Sequence, residues 1–263
     1  MTEQLIYVNP LWQKTLHDCG LDSFESLWKL DLKAVDEGNV GRGKNGWSKV
    51  SIFEFQDQQQ HTHKVVIKRQ SNYRSRTLRH LITGIPTFIK EMDSIARYEK
   101  AGIPALNAVY CATRQQGGDL QAILITEFLS DYESLEAILQ RWQQLGRPKR
   151  THCQKVIQAT GKLVARLHGQ GLEHRCLFPK HIFIAKTDDT SARLIDLEKT
   201  RWRPWLEARR VRDLTALARR SLSLPNRDRV AFLRAYYDIP HLDERAKNLW
   251  RQVAKRINAK KRS

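Results

Sequence analysis

The stretch HRCLFPKHIF, residues 174–183, decides how the chain is interpreted. His174 and Arg175 precede Cys176, and His181 stands directly before an apolar segment rich in β-branched and aromatic residues. This order predicts a polar loop that leads into a short strand. Polar loops held by regular structure often bear functional side chains, so the neighbouring segments should supply the rest of a site.

The loop follows the pattern H-R-D-L-x-x-x-N, which is typical of the catalytic loop of protein kinases. In that pattern the Asp accepts the proton of the attacking hydroxyl group and the Asn binds a metal ion. Here Cys176 stands at the Asp position and His181 at the Asn position. A kinase without its usual base, a kinase with altered chemistry and a coincidental match all remain open from the loop alone.

Downstream of the loop, Asp196 follows the apolar segment ARLI in the sequence IDLE. The metal-binding Asp of the kinase D-F-G motif also follows a strand, so Asp196 is a candidate Mg²⁺ ligand. A turn residue after a hairpin is the alternative. His181 is the second candidate ligand, although Mg²⁺ prefers oxygen. It could instead bond a phosphate or hold the loop.

Upstream, VVIK (65–68) resembles the kinase V-A-I-K motif, whose Lys holds the α- and β-phosphates. Lys68 could also be an ordinary surface lysine at the end of a strand. Glu91, early in the helix predicted over PTFIKEMDSIARYEKAG, is expected to pair with Lys68. Glu99 is a rival nearer the end of that helix.

A glycine-rich stretch, GRGKNG (41–46), precedes these elements. Glycines let the backbone turn tightly and bring its N–H groups close to phosphate, although a plain hairpin turn is an alternative. A strand rather than a helix follows, which argues against dinucleotide binding. The candidate nucleotide-covering residues here are Gly41, Gly43, Gly46 and Val50.

Secondary-structure patterns place these motifs in two different contexts. Up to residue 129 the chain predicts strands around one helix, with turn signals between them. From residue 130 onward amphipathic helices dominate, interrupted by a short hairpin. We therefore expect an α+β, bilobal, protein-kinase-like fold. It would have a helical lead (1–37), an N-lobe with an antiparallel sheet and one αC-type helix (38–129), and a mainly helical C-lobe (130–263).

In such a fold the segment after the fifth strand offers backbone groups to adenine. The candidates here are Thr126, Glu127 and Leu129, with Phe128 between them. An ordinary linker between lobes would have the same position in the chain.

The composition describes a basic globular protein. The chain has 263 residues, a hydrophobic content of 41% and a formal net charge of +18. Such a surface attracts polyanions, whether nucleic acid, anionic membrane or phosphorylated glycolipid. The four cysteines are scattered, which is typical of a reducing cytosol. We expect neither a signal peptide nor a membrane span.

Three stretches resemble the lipopolysaccharide core kinases of Gram-negative bacteria, the InaA/WaaP-like group. They are GIPTFIKEMDSIARYEKAGIP (84–104), ARLHGQGLEHRCLFPKHIFI (165–184) and LIDLEKTRWRPW (194–205). The resemblance implies a kinase-like fold, ATP with Mg²⁺, and phosphorylation of an inner-core heptose or Kdo. It also implies a lipopolysaccharide core or lipid A precursor as partner, and work in the cytoplasm at the face of the inner membrane. A His at position 181 is expected in this family.

Cys176 departs from the phosphorylating members of the family, which carry Asp. Loss of general-base help costs on the order of 10²–10⁴ in rate. The substitute bases to consider are Glu173, Glu198 and a Cys176 thiolate made more acidic by neighbouring cations. Those cations are Arg175, Lys180 and His181.

Several polar residues are expected to have scaffold roles. His174 should hydrogen-bond below Asp196, and His168 should be a buried scaffold residue. Asp213 falls early in a helix, from which it could brace the catalytic loop.

Two basic clusters could meet an anionic lipid surface: Arg74, Arg76, Arg79 and His80, and the segment 197–214. A solvated helix face is the alternative. Nucleic acid is the rival partner, but the sequence has no zinc finger, no RNP-type aromatic run and no clear helix-turn-helix. A lipopolysaccharide core kinase, a pseudokinase scaffold and a kinase of a small soluble molecule therefore remain the function classes. Oligomeric state is left open.

Overall fold

A computed structural model describes residues 2–36, 46–77, 80–187, 190–204, 207–221 and 223–259. The chain divides into two compact units. The first comprises Met1–Ala96 and Leu106–Ser130, and the second comprises Arg97–Ala105 and Asp131–Ser263.

The first unit is built on an antiparallel sheet. Its regular elements are, in order, β1 (Thr2–Val8), α1 (Pro10–Asp18), α2 (Phe24–Lys29), β2 (Ala34–Asp36), β3 (Trp47–Gln56), β4 (Thr62–Ser71), β5 (Arg74–Thr77), β6 (His80–Pro86), α3 (Thr87–Lys100), β7 (Ala108–Gln116) and β8 (Asp119–Glu127). The last turn of α3, from Arg97 onward, belongs to the second unit. Within the described residues the main sheet has the strand order β1-β7-β8-β4-β3-β2. Strands β5 and β6 pair separately as a hairpin.

The β3–β4 hairpin shows how local sequence positions this sheet. Alternating β-branched and aromatic residues form both strands, as the pattern predicted. The polar connector between them turns around Asp57, whose Oδ1 accepts hydrogen bonds from the backbone N–H groups of Gln59 and His61. Side-chain oxygens of Asp commonly stabilise turns in this way. The turn fixes a register in which Val50 lies opposite Lys68.

The predicted helical lead over 1–37 needs a correction, because the chain begins with strand β1 before the helices α1 and α2. The run LIYV has the β-branched and aromatic character of a strand, and β1 pairs antiparallel with β7. Helices α1 and α2 then bury Leu16, Phe24 and Leu27 in one hydrophobic cluster with residues of the sheet. The guanidinium of Arg114 in β7 lies 4.5 Å from the ring centroid of Phe24.

Helix α3 extends from Thr87 to Lys100, inside the stretch 86–102 over which the sequence predicted a helix. It ends because Gly102 adopts a φ of +63°, a conformation that glycine tolerates without steric cost. The N–H of Gly102 donates to Glu99 O and the N–H of Ile103 donates to Tyr98 O. These two bonds satisfy carbonyl groups at the helix end in a Schellman arrangement.

The second unit is mainly helical. Its elements are β9 (Tyr132–Ser134), α4 (Leu135–Leu145), α5 (Arg150–Gly169), β10 (Leu172–Glu173), β11 (Ile182–Ala185), β12 (Ala192–Leu194), β13 (Arg201–Trp202), α6 (Glu207–Arg219), α7 (Asn226–Tyr237) and α8 (Glu244–Ala259). Strands β12, β11 and β9 form a small antiparallel sheet, and β10 pairs with β13. The predicted hairpin of HIFIA with ARLIDL is confirmed by the pairing of β11 with β12.

No helix among the described residues is both long and apolar enough to cross a bilayer.

Helices α5 and α7 pack closely at Gly161. A Cβ atom placed on Gly161 would lie 2.7 Å from Phe232 O and 3.0 Å from Ala235 Cβ. At Gly169, in the same helix, an added Cβ would meet no atom within 4 Å. A side chain at position 161 would therefore clash with α7, whereas a side chain at position 169 would have free space.

We expect Gly161→Ala to lower the free energy of unfolding by about 1–3 kcal/mol, because the methyl group would force the helix backbones apart. Gly169→Ala is the matched control, and it should be neutral or stabilising by up to about 1 kcal/mol. Urea unfolding followed by circular dichroism measures both. Equal effects of the two substitutions would contradict the close packing.

Candidate active site

The first unit holds a buried ion pair between β4 and α3. Lys68 Nζ lies 2.6 Å from Glu91 Oε1 and 2.8 Å from Oε2, so both carboxylate oxygens accept hydrogen bonds. The exposed fractions of the two side chains are 15% and 3%. The structure thus brings together the Lys and Glu that the sequence paired, and Glu91 rather than the exposed Glu99 is the partner. Burial makes each charge dependent on the other.

The structure describes only two of the four residues of the predicted glycine-rich loop, Gly46 and Val50. Val50 lies directly opposite Lys68 and is half-buried, and Gly46 is buried just before β3. Gly41 and Gly43 lie outside the described residues. The described part of the predicted loop is thus its end, and the strand that follows it lies beside Lys68.

The end of β8 and the residues after it, Thr126 to Leu129, include a free backbone donor. Thr126 is buried, and the N–H groups of Glu127 and Phe128 donate to Asn107 O and Lys64 O. Within the described residues the N–H of Leu129 has no hydrogen-bond partner. The Glu127 carboxylate accepts hydrogen bonds from Trp12 Nε1 and Asn107 Nδ2. Leu129 thus has the free donor that recognition of a heterocycle edge requires.

In the second unit, the loop 174–181 is anchored by Asp213 of α6. Asp213 Oδ2 accepts the backbone N–H of His174 at 2.7 Å and Oδ1 accepts that of Arg175 at 2.8 Å. His168 Nε2 lies 3.3 Å from Oδ2, and its Nδ1 lies 2.8 Å from the hydroxyl of Tyr236. The bracing role predicted for Asp213 and the scaffold role predicted for His168 are both confirmed.

His174 is buried and neutral. Its Nε2–H donates to Ile195 O at 3.0 Å, directly before Asp196, as predicted. Its Nδ1 is buried and has no hydrogen-bond partner among the described residues. Burial lowers the pKa of His174 from its ordinary value, although Asp213 acts in the opposite sense.

His181 faces Asp196 across a short gap. His181 Nδ1 lies 2.8 Å from Cys176 O, so it carries the proton that this bond needs. Burial lowers the pKa of His181, although Asp196 opposes this, and a neutral ring leaves a lone pair on Nε2. That atom lies 3.3 Å from Asp196 Oδ2. Two acceptors at this distance repel each other unless a proton or a metal cation lies between them.

This pair fits a divalent cation in part. The Asp196 side chain is 35% exposed and supplies the oxygen that Mg²⁺ prefers, whereas the His181 nitrogen is a softer ligand. No group of three His, Cys, Asp or Glu side chains in the described ranges forms a ready-made metal cage. Mg²⁺ in nucleotide sites typically uses one or two protein ligands plus water and phosphate, so such a cage is not required.

Asp196 also has a constrained backbone. Its φ and ψ are both 59°, in the left-handed region, at the start of a short 3₁₀ helix over Leu197–Lys199. This conformation costs energy for any residue with a Cβ, and Asp tolerates it better than most. Departures of this kind concentrate at functional sites.

Cys176 is paired with a cation that the sequence analysis missed. The Lys199 ammonium lies close enough to Cys176 to favour its thiolate form and lower the pKa of the thiol. Burial raises the pKa of Cys176, and Lys199 only partly opposes this. Burial therefore disfavours the acidic thiolate that was one of three substitute bases considered, because desolvation of the charged form outweighs the neighbouring cation. For Lys199, burial opposes the charge, but Cys176, Glu198 and Asp196 together raise its pKa.

The signal for Lys199 was present in the sequence. It lies just after Asp196 in IDLEK, and the 3₁₀ helix turns it back toward the loop.

The two carboxylates considered as substitute bases have different environments. Glu173 is fully buried and pairs with Arg212 of α6, which removes it from an incoming hydroxyl group. Glu198 keeps 26% of its side chain exposed and lies 3.7 Å from Lys199 Nζ. Arg175 and Lys180 are exposed, and Arg175 has a φ of +68°. Glu198 is thus the accessible carboxylate of the two.

The basic segment 197–214 is only partly a surface. Arg209 is buried and donates to the backbone oxygens of Arg203, Pro204 and His168, and Arg212 pairs with Glu173. Arg201 and Trp202 are exposed. In the other predicted cluster, Arg74 and Arg76 lie in β5 and His80 in β6, while Arg79 lies outside the described residues.

Comparison with solved structures supports the protein-kinase-like fold. Among solved structures, the chain is similar to one described as WaaP in complex with acyl carrier protein, with a TM-score of 0.67 and 22% identity. That match covers 98% of this chain and 97% of the other. Together with the antiparallel sheet and the helical second unit, it shows the α+β, protein-kinase-like fold that the sequence predicted.

The family follows from two further similarities. The model of the lipopolysaccharide kinase (Kdo/WaaP) family matches residues 25–236. Protein InaA of Escherichia coli (strain K12) is 28% identical over 188 residues, which cover 69% of this chain and 80% of that protein. The chain therefore belongs to the lipopolysaccharide kinase (Kdo/WaaP) family, and the resemblance seen in the sequence is confirmed.

The neutral state of His174 predicts a pH dependence of stability. Because the folded protein holds its pKa below the ordinary value of 6.5, the unfolded chain binds more protons in acid. The contribution of His174 to the free energy of unfolding is therefore complete above pH 6.5 and is lost as the pH falls below that value. Its slope reaches about 1.4 kcal/mol per pH unit.

Urea unfolding between pH 8 and pH 5 would measure this slope. In His174→Gln the slope below pH 6.5 should be smaller, with a remainder from His181, whose pKa is lowered in the same direction. Exposed His241 provides the control substitution His241→Gln. An unchanged slope in His174→Gln would show that His174 is not held neutral.

Proposed function

We propose that the protein is an ATP-dependent kinase that transfers the γ-phosphoryl group to a hydroxyl of an inner-core sugar of lipopolysaccharide, either a heptose or Kdo. The observation that carries the proposal is the buried bidentate pair of Lys68 with Glu91. A lysine fixed in this way presents a directed cation, which phosphoryl transfer requires. Membership of the family supports lipopolysaccharide as the acceptor.

The nucleotide would be held by residues of the first unit. Lys68 would donate to phosphate oxygens while Glu91 fixes its position. The free N–H of Leu129 would donate to adenine, with the backbone of Glu127 as the neighbouring acceptor. Gly41, Gly43, Gly46 and Val50 would cover the phosphates, within the proposed nucleotide-binding lobe of residues 38–129.

The second unit would supply the acidic group for the metal. Asp196 would ligate Mg²⁺, and His181 would lie at its side. When bound, Mg²⁺ neutralises negative charge on the phosphate oxygens. His174 and Asp213 hold the loop and the strand end in register, so that Asp196 keeps its orientation.

The acceptor side differs from that of typical kinases. A protonated Cys176 thiol cannot accept a proton, so Glu198 is the proposed base, assisted by water. Lys199, Arg175 and Lys180 are cations that would attract an anionic acceptor. Because the transition state of phosphoryl transfer is loose, positioning supplies most of the catalysis and weak base help suffices for a slow reaction.

A second candidate function is a pseudokinase scaffold that binds nucleotide or lipopolysaccharide intermediates without transferring phosphate. The observation in its favour is the neutral Cys176 at the position of the base.

Both candidates would act in the cytoplasm at the face of the inner membrane. The net charge of +18 and the exposed Arg201 and Trp202 support that location.

Transfer of label from γ-labelled ATP to a Kdo- and heptose-bearing lipid A core tests the kinase. We expect Lys68→Met to lower the rate by about 10²–10³-fold, as for the loss of a preorganised donor. Asp196→Asn should lower it at least as much. Lys49→Met removes an exposed lysine from the neighbouring strand and should have little effect. Equal rates for Lys68→Met and Lys49→Met would contradict the role of Lys68.

The same assay separates the two candidate functions at Cys176. If the chain is a kinase with a weak base, Cys176→Asp should accelerate transfer, by up to about 10²–10⁴-fold. Cys176→Ser should leave the rate unchanged, because the thiol does not accept the proton. Label that never appears, even in Cys176→Asp, would support the scaffold when ATP binding is intact. Loss of activity in Cys176→Ser would show that the thiol itself takes part.

A further inference from the structure

The second unit has an open cleft, about 210 Å³ in volume, that is rich in arginine and separate from the loop 174–181. The first turns of α5 and α7 line it. Its charged lining residues are Arg147, Arg150, Arg227, Asp228 and Arg234. The described residues that line the cleft thus include four arginines and one aspartate.

Among the lining residues that the structure describes, the one carboxylate is already paired with arginine. Asp228 is 4% exposed, and its Oδ2 accepts a short hydrogen bond from Arg147 while Oδ1 lies 3.8 Å from Arg227 Nε. In the part of the chain that the structure describes, Arg150 and Arg234 have no carboxylate partner, and both are exposed. The cleft thus keeps a positive charge that nothing among these residues neutralises.

Two helix ends add to this charge. Helix α5 begins at Arg150 after Lys149, helix α7 begins at Asn226 after Pro225, and neither has a side-chain cap. The N–H groups of a first helical turn and the helix dipole both favour an anion. The residues at the two N-cap positions, Lys149 and Pro225, carry no side-chain acceptor, and Asp228 is the acidic residue in the first turn of α7.

Part of the cleft is also held rigid. The Arg147 guanidinium lies 4.8 Å from the ring centroid of Trp142 and bonds Asp228. Such contacts fix an arginine before a ligand arrives, which lowers the entropy cost of binding.

We propose that this cleft binds a phosphate group. Guanidinium groups form paired hydrogen bonds with phosphate oxygens, and several converging arginines suit a phosphomonoester better than a carboxylate. The phosphate belongs either to a lipid headgroup or to a soluble phosphorylated molecule. The site is independent of the proposed kinase reaction, because none of its residues holds the nucleotide or the metal.

The test compares two double variants that remove the same charge. Arg150→Gln/Arg234→Gln changes the rim of the cleft and leaves the pair of Arg147 with Asp228 intact. Lys162→Gln/Arg166→Gln changes two exposed residues of α5 that do not line the cleft. Urea unfolding of both variants verifies that each is folded.

The first arm measures flotation with vesicles of phosphatidylcholine containing phosphatidic acid, against vesicles of phosphatidylcholine alone. The second arm measures binding of inorganic pyrophosphate by titration calorimetry. Two arginines at a membrane surface correspond to a loss of about thirtyfold in affinity. We expect that loss in the cleft variant and a much smaller one in the matched control.

Each outcome decides the proposal. Loss of vesicle binding in the cleft variant alone assigns the phosphate to a lipid headgroup. Loss of pyrophosphate binding in the cleft variant alone, with equal vesicle binding by both variants, assigns it to a soluble ligand. Equal behaviour of the two variants in both arms would overturn the proposal, because the attraction would then come from the overall charge.

Discussion

The candidate site of the second unit depends on the hydrogen bonds that the buried carboxylate of Asp213 accepts from the loop backbone. It accepts the backbone N–H groups of His174 and Arg175 and faces His168, so one side chain of α6 fixes the start of the loop. A buried charge is tolerated only where hydrogen bonds replace its water. The loop therefore cannot move without leaving that charge unsatisfied. His174 extends the constraint to Ile195, and the position of Asp196 follows from it.

The same constraint explains why the change at position 176 leaves the loop architecture in place. The backbone of Cys176 still accepts a hydrogen bond from His181, and its side chain contributes nothing to the anchoring by Asp213. The loop can thus keep its shape while its chemistry changes. Lys199 lies beside the thiol, where a carboxylate would have made an ion pair. The surroundings of position 176 are therefore more cationic than the H-R-D pattern would make them.

Positive charge serves two different purposes in this protein. Some arginines are structural: Arg114, Arg209 and Arg212 are held by aromatic rings, carbonyl oxygens or a buried carboxylate. Others, such as Arg150 and Arg234, remain exposed in a cleft. Net charge alone cannot separate these groups, because a formal charge of +18 counts a buried, paired guanidinium and a free one equally. Only the surroundings of each side chain decide which are available to an anionic partner.

The sequence by itself determined the fold class, the family and the pairing of Lys68 with Glu91, because these depend on motif order and on the periodicity of strands and helices. It also indicated that Asp213 braces the loop. It missed strand β1, whose short run gains stability only from pairing with β7, a distant segment. It also could not give the protonation of Cys176 or the role of Lys199. Burial and the turn of a 3₁₀ helix decide these, and both arise from tertiary packing rather than from the order of residues.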